Sequence, residues 1–378
     1  MKKAQNPFEL MTYSGPDYFC DRIDEVDMLN SALNNRRNTI ISSLRRLGKT
    51  NLIQHWHHLL NTKQETKTIY LDILHTKSDS DFLNFFVNRA INAVEEDKNY
   101  FQKVFEKLSS IRPTLSIDPI SGQPQITFDT NKGNQIEFGI STTFELLSKH
   151  FNKIQIAIDE FQTISTYETG TKIDAVLRTC MTEYKGFHFL YSGSQEHLLS
   201  TIFADPQKPM FGSTQHYTLQ KIGYRPYFEF IKGQFEAYDR QISDEAIHEI
   251  LMWTRQHTFY THFLCNEVFA SGNKKADISL VQTAERKCLH LFEVNFLSTL
   301  RNLSNNQKKV LIAIAKEGDV ENIHGKDFLS KYKLAASSVS QATEVLENRE
   351  VIKKDLSKAE PTYFLQDVFL SNYLRLYN

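Results

Sequence analysis

Between Asn38 and about Gly223 the chain sets short apolar runs, rich in β-branched and aromatic residues, against longer segments of helical periodicity. This alternation predicts an α/β region. The predicted strands are TIIS (39–42), TIYLDI (68–73), IQIAID (154–159), FHFLYS (187–192) and HYTLQK (216–221). Most are continuous apolar runs, as parallel strands covered on both faces require. Helical periodicity fills about 50–62, 81–96, 135–150, 172–184 and 195–203, with Asp79 or Ser80 as the expected cap of the second. LSIDPISGQPQITFD (115–129) carries two alternating segments around a Gly-containing turn, which predicts a β-hairpin inserted at about 113–130.

After Tyr224 strand patterns nearly vanish, and helical patterns follow one another at about 225–239, 243–256, 258–271 and 280–301. From Ser304 three further helices (about 305–317, 325–332, 335–349) precede VIKKDLSKAEPTYFL, two strands around a polar turn; that order is a winged helix. The expected domains are therefore a core at 1–223, a helical lid at 224–303 and a winged helix at 304–378. Lys plus Arg is 44 against 45 Asp plus Glu, so a nucleic-acid or anionic-membrane partner must be met by a local patch. No stretch approaches 18 uncharged apolar residues and MKKAQNPFEL has no apolar leader core, so a cytoplasmic protein without a membrane is expected. Cys20, Cys180, Cys265 and Cys288 form no CxxC pair, which argues for reduced thiols over a thiolate zinc site.

The segment after the 39–42 strand, Ser43-Leu44-Arg45-Arg46-Leu47-Gly48-Lys49-Thr50, has the spacing of the P-loop (Walker A) with Ser in place of the first Gly. Such a turn exposes successive backbone N–H groups to phosphate oxygens, and the following helix, through Asn51, points its positive end at them. Lys49 reaches the β and γ phosphates and Thr50 offers its hydroxyl to Mg²⁺. About 110 residues on, IQIAIDEFQ ends in Asp159 and Glu160, a Walker B pair at the carboxyl end of a buried strand, where open α/β sheets place their ligands. Asp159 would hold Mg²⁺ or its water, and Glu160 would accept a proton from the attacking water.

These residues, with NPF (6–8), DYFCDRIDEVDML (17–29), RRLGKT, YLDI, IDEFQ, SGS (192–194), KPMFGS (208–213) and FLQDVFLSNYLRL (364–376), resemble in order the archaeal-type ATPases of the STAND division of AAA-like P-loop NTPases. The resemblance runs through almost the whole chain. It implies an additional-strand catalytic-glutamate core with sheet order 5-1-4-3-2, a helical lid and a C-terminal winged helix. It also implies that Phe19 and Arg22 lie over the adenine, that Ser192 or Ser194 senses the γ-phosphate, and that His257 is a candidate contact to the nucleotide. In the lid segment TRQHTFYTHFL, Gln256 and Thr258 stand where the family usually has Gly and Pro.

Two departures bear on turnover. If the first P-loop position requires positive φ, Ser43 costs about 1–2 kcal/mol in strain. Ser213 stands where the family usually ends KPMFG with Arg, and loss of such a finger removes a rate contribution of about 10³ or more. Arg178, on the helix after the Walker B strand, is the candidate substitute. Of His55, His57 and His58 on one helix, positions 55 and 58 share a face, and with no third ligand identifiable a solvated or packed cluster is expected rather than a metal site; Asp72 ends the second strand.

Residues 304–378 hold 11 Lys plus Arg and 10 Asp plus Glu, a net of +1 and a poor footprint for phosphate binding. Lys331 and Lys333, the wing lysines Lys353, Lys354 and Lys358, and Ser337, Ser338, Ser340 and Gln341 at the helix start are nevertheless placed to meet DNA. The sequence thus points to a Mg²⁺-dependent ATP-binding protein whose slow hydrolysis works as a conformational switch. The alternatives are an ATP-regulated DNA-binding protein or a nucleotide-binding pseudo-ATPase scaffold. A protein partner and a nucleotide-dependent homo-oligomer accompany that reading.

Overall fold

The computed structural model describes residues 5–10, 13–94, 100–117, 122, 124–130, 132–167, 173–355 and 360–377. The chain divides into two compact units, one of Gly15–Gln220 and one of Met1–Ser14 with Lys221–Asn378.

The first unit runs α1 (Ile23–Asn34), β1 (Thr39–Ser42), α2 (Lys49–Lys63), β2 (Lys67–Asp72), α3 (Asp79–Ala93), α4 (Tyr100–Lys107), β3 (Thr114–Ile117), β4 (Pro124–Thr127), α5 (Gly133–His150), β5 (Ile154–Asp159), α6 (Ile173–Glu183), β6 (Phe187–Gly193), α7 (Glu196–Phe203) and β7 (Gln215–Thr218). Five strands form a parallel sheet in the order β2-β5-β6-β1-β7. Counted along the chain, these are the expected 5-1-4-3-2. Side chains leave the central strands alternately. Ile40, Ile156, Ile158, Phe189 and Tyr191 enter the apolar layer built with α3, α5 and α6, while Ile41, Ala157 and Leu190 enter the layer of α1 and α2 with Leu29, Leu52 and Trp56. Burial of both faces explains why these strands read as unbroken apolar runs. The inserted β3–β4 hairpin is antiparallel, and its turn residues 118–121 lie outside the described residues.

Some local expectations shift. The cap of α3 is Ser78, whose hydroxyl accepts from the Asp81 N–H at 3.1 Å; Ser78 is extended, as a capping residue must be, whereas Asp79 is already helical. The helices α1 and α4 add to those expected. α1 buries Val26, Leu29, Ala32 and Leu33 on one stripe and carries Asp24 and Glu25 in its first turn.

The second unit contains α8 (Tyr224–Glu236), β8 (Gln241–Ile242), α9 (Asp244–Trp253), α10 (Thr258–Ala270), β9 (Lys275–Ala276) and α11 (Ile278–Arg301), then α12 (Asn305–Glu317), α13 (Lys326–Tyr332), α14 (Ala336–Asn348), β10 (Ile352–Asp355), β11 (Thr362–Leu365) and α15 (Val368–Tyr377). Ser304 and Gln307 form a capping box that starts α12. The terminal helix joins this unit together, because Phe369 packs against Trp253, Tyr260 and Phe292 at ring separations of 5.1, 4.7 and 5.4 Å. The NPF segment, expected in the core at 1–223, belongs to this helical unit. Phe8 is buried among Phe230, Phe235 and Phe269, and Asn6 and Asn266 exchange amide-to-carbonyl hydrogen bonds with the backbones of Asn266 and Phe8. The reason is apolar: a phenylalanine near the start of the chain finds its aromatic pocket there. Among the described residues no helix is long and apolar enough to cross a membrane.

Candidate functional site

The loop from β1 to α2 is set by two left-handed residues, Arg46 (φ 60°) and Gly48 (φ 99°). Ser43 is not among the positive-φ residues, so the strain that a missing glycine would bring does not arise there. Its hydroxyl instead donates to the Leu44 carbonyl at 2.7 Å and accepts from Lys49 Nζ at 3.1 Å. Gly48 caps α2 with no side-chain hydrogen bond, leaving the first-turn N–H groups to a ligand. Lys49 opens that helix and is buried, and burial pulls its ammonium below the ordinary value while the Glu160 and Asp159 carboxylates act the other way. Arg45 and Arg46 are exposed, Leu47 is buried and Leu44 and Asn51 are half-buried.

Opposite this loop, β5 delivers Asp159 fully buried and Glu160 half-buried. Asp159 Oδ2 accepts from Thr50 Oγ1 at 2.6 Å and from the Tyr70 hydroxyl at 2.9 Å. Its Oδ1 accepts from Ser192 Oγ and from the Glu160 N–H at 3.0 Å. Glu160 has φ 56°, a left-handed conformation of the kind that collects at working sites. Its Oε2 accepts from Gln162 Nε2 and from Ser194 Oγ, the latter at 3.1 Å. The two serines offered as alternative sensors therefore serve different carboxylates. Between them Gly193 leaves room for Gln162, since a Cβ there would stand 2.0 Å from Gln162 Oε1 and the amide would have to move.

Tyr70, Gln162 and Gly193 belong to this site although the residue pattern assigns them no role. Parallel pairing of β2 with β5 aligns Tyr70 with Ala157, two residues before Asp159. Burial and the neighbouring Asp159 carboxylate hold the Tyr70 phenol far above its ordinary value, so it stays a donor. Asp72, by contrast, closes a turn by accepting from the Leu74 N–H at 3.1 Å.

Of the residues expected over the base, Phe19 stacks on His55 with ring centroids 4.1 Å apart and planes 15° from parallel. Arg22 is buried and left-handed (φ 71°), and its guanidinium bonds Glu25, the Gln220 carbonyl at 2.7 Å and the Leu47 carbonyl at 3.3 Å. It ties the segment before α1 to the loop and to the chain leaving β7. Buried His57 pairs with Gln155 and is held down to about 4 by burial, so the three histidines of α2 face different surroundings. Arg178 is half-buried on α6; among the described residues its guanidinium makes no hydrogen bond or ion pair with Asp159 or Glu160. Ser213 closes a turn onto the Met210 carbonyl. His257 belongs to the helical unit, where it precedes α10 and packs on Tyr260 at 4.8 Å.

In the winged helix, Gln341 is exposed and Ser338 half-buried on α14. Lys354 is exposed over the Tyr363 ring at 5.6 Å, and Lys353 is half-buried. Lys331 is paired with Glu317, and the wing lysines face Glu347, whose carboxyl burial raises while Lys354 and Lys353 oppose the shift. Lys358 lies outside the described residues.

A family described as an ATPase domain predominantly from Archaea matches residues 19–255, and one described as a probable winged helix domain matches residues 294–376. No curated protein sequence matches. Among solved structures, a Walker-type ATPase of Pyrococcus abyssi superposes with a TM-score of 0.66 at 18% identity, covering 98% of this chain and 99% of its own. The ORC2 protein of Aeropyrum pernix, solved with ADPNP and ADP, gives 0.58 at 13% identity over 99% and 96%. The ORC1 protein of the same organism, solved in complex with DNA, gives 0.54 at 12% over 98% and 96%. These likenesses show a P-loop ATPase fold followed by a winged helix.

Proposed function

The chain belongs to the family of ATPase domains found predominantly in Archaea, and from that premise we propose that it binds ATP with Mg²⁺ at the loop before α2 and hydrolyses it slowly as a conformational switch. The observation that carries this reading is the convergence of Lys49, Thr50, Asp159 and Glu160 on one end of the sheet. The first-turn N–H groups of α2 and Lys49 receive the phosphates. Thr50 and Asp159 bring a hydroxyl and a carboxylate together, the hard oxygen donors that suit Mg²⁺. When bound there, Mg²⁺ supplies neutralisation of phosphate charge. Glu160 takes the proton of the attacking water. Its Oε2 is engaged by Gln162 and Ser194, which must release it before it can take a proton. This engagement favours slow turnover over metabolic flux. Residues 224–303 serve as lid and 304–378 as winged helix in this reading, which suits a cytoplasmic switch with a protein partner.

Titration calorimetry of Lys49→Ala with ATP and Mg²⁺ tests the assignment. The expected loss is at least about 100-fold in affinity, on the scale of removing a buried charge-assisted contact. Undiminished affinity overturns it.

A second reading, ATP-regulated DNA binding, is favoured by the exposed Gln341 on α14 and the exposed Lys354 on β10 of the winged helix. Neutralising Lys353 and Lys354 together should lower the slope of log affinity against log salt by about 2 if both lysines meet phosphates. A slope that does not move removes this reading.

A further inference from the structure

The inserted hairpin has one sealed edge and one open edge. On the β4 side, Asn84 and Asn88, one turn apart on α3, act as a surrogate strand. Asn88 Oδ1 accepts from the Ile126 N–H at 2.9 Å and its Nδ2 donates to the Ile126 carbonyl at 2.7 Å. Asn84 does the same for Phe128, at 2.7 and 3.2 Å. Ile126 therefore turns its backbone groups away from β3. Because Leu115 is its register partner, that pair is of the type without mutual hydrogen bonds, and Leu115 must turn its own N–H and C=O away from β4. Two residues on, Ile117 faces Pro124, whose nitrogen carries no hydrogen, and directs its groups the same way. The outer edge of β3 thus presents two N–H and two C=O groups, with no partner among the described residues. Leu115 and Ile117 are 55% and 70% exposed beside them. Such an edge is a template for another strand.

We propose that this edge pairs with the same edge of a second copy, antiparallel about Ser116. In that register Leu115 faces the partner's Ile117 and the reverse, so all four edge groups of each copy are used, giving four hydrogen bonds. Centring on Leu115 wastes the carbonyl of Ile117 against Pro113, which has no N–H. Charge does not oppose self-pairing: Pro113 to Ile117 carry none, and the whole chain is at -1, so two copies meet with little repulsion. The apolar side chains of the two strands then cover one another. Four residues per strand bury much less than the roughly 1,200 Å² at which stable specific interfaces begin, so the association is weak and concentration-dependent. The pairing is independent of the nucleotide reading.

Sedimentation of the full chain over a wide concentration range should show reversible dimers. Leu115→Pro removes an outward N–H while sparing every β3–β4 bond, and proline is tolerated on such an edge. It should weaken dimerisation by about tenfold or more, since two bonds are lost by symmetry. Leu115 and Ile117 are the exposed positions that face one another in this register, so a mixture of Leu115→Cys and Ile117→Cys chains should yield a reducible covalent heterodimer on mild oxidation, with Leu115→Cys alone as the register control; all four native cysteines are buried. Circular dichroism checks that each variant is folded. A chain that stays monomeric, dimerisation unchanged in Leu115→Pro, or cross-linking of Leu115→Cys to itself in place of the mixed pair each overturns the proposal. A monomeric chain that retains a tagged, unrelated strand peptide on this edge also overturns it, in favour of a foreign strand.

Discussion

The carboxylate cluster at the end of the sheet and the lysines of the winged helix are both sets of charged groups, yet they are held in opposite ways. Asp159 has four donors around two oxygens, and Glu160 has two on one oxygen. Lys354 lies exposed across an aromatic ring, and Lys331 is spoken for by Glu317 on the surface. Removing a member of the first set leaves buried partners unsatisfied, whereas removing one of the second changes a screened surface field. Chemistry at the cluster is therefore a matter of position. At the wing only the sum of charges counts, and that sum is small.

The largest test of this contrast is Glu160→Gln. Phosphate release should fall by about 10² to 10⁴, the range for loss of a general base, while ATP affinity stays near that of the parent. Unchanged turnover would mean that position at this carboxylate does not decide catalysis. A smaller effect is expected from Tyr70→Phe, which deletes one of the donors to Asp159. Chemical denaturation should report about 1–2 kcal/mol of lost stability. Replacing the exposed Lys354 by alanine should stay within about 0.5 kcal/mol, as exposed substitutions do. If Lys354→Ala costs as much as Tyr70→Phe, the two regions are not held differently after all.

How legible each region was in the sequence follows from the same physics. Parallel strands buried on both faces leave continuous apolar runs, so the central strands are found where those runs lie, while the strand order agrees with what the family resemblance implies. Two-residue strands such as β8 and β9 are too short to leave a period, and α1 begins after left-handed Asp21 and Arg22 with no Ser, Thr or Asp side chain capping it. Within the site, Lys49, Thr50, Asp159 and Glu160 follow from spacing because one loop and one strand end carry them. Tyr70 becomes a partner of Asp159 only through strand pairing. Ser192 reaches Asp159 because Tyr191 is in register with Ile158, while Ser194 has already left β6 and meets Glu160. Gln162 returns along a short 3-10 turn that starts at a left-handed glutamate, which no periodicity encodes.

The finest distinction between the units lies in two places where the resemblance leads one to expect glycine. Ser43 takes no positive φ, and its hydroxyl accepts from Lys49, so the side chain is used. Gln256 sits at φ 55°, just after Arg255 at φ 52°, and Thr258 occupies the first turn of α10, where proline is at home. The glycine position in the helical unit is thus real, and the one in the loop is not. Gln256→Gly should stabilise the protein by about 0.5 kcal/mol, because relief of left-handed strain outweighs the added freedom of the unfolded chain. Ser43→Gly should cost about 0.5–1 kcal/mol, since it adds that freedom and relieves nothing. Opposite shifts of the denaturation midpoint are the expected result. Shifts of the same sign would show that backbone conformation is not what distinguishes the two sites.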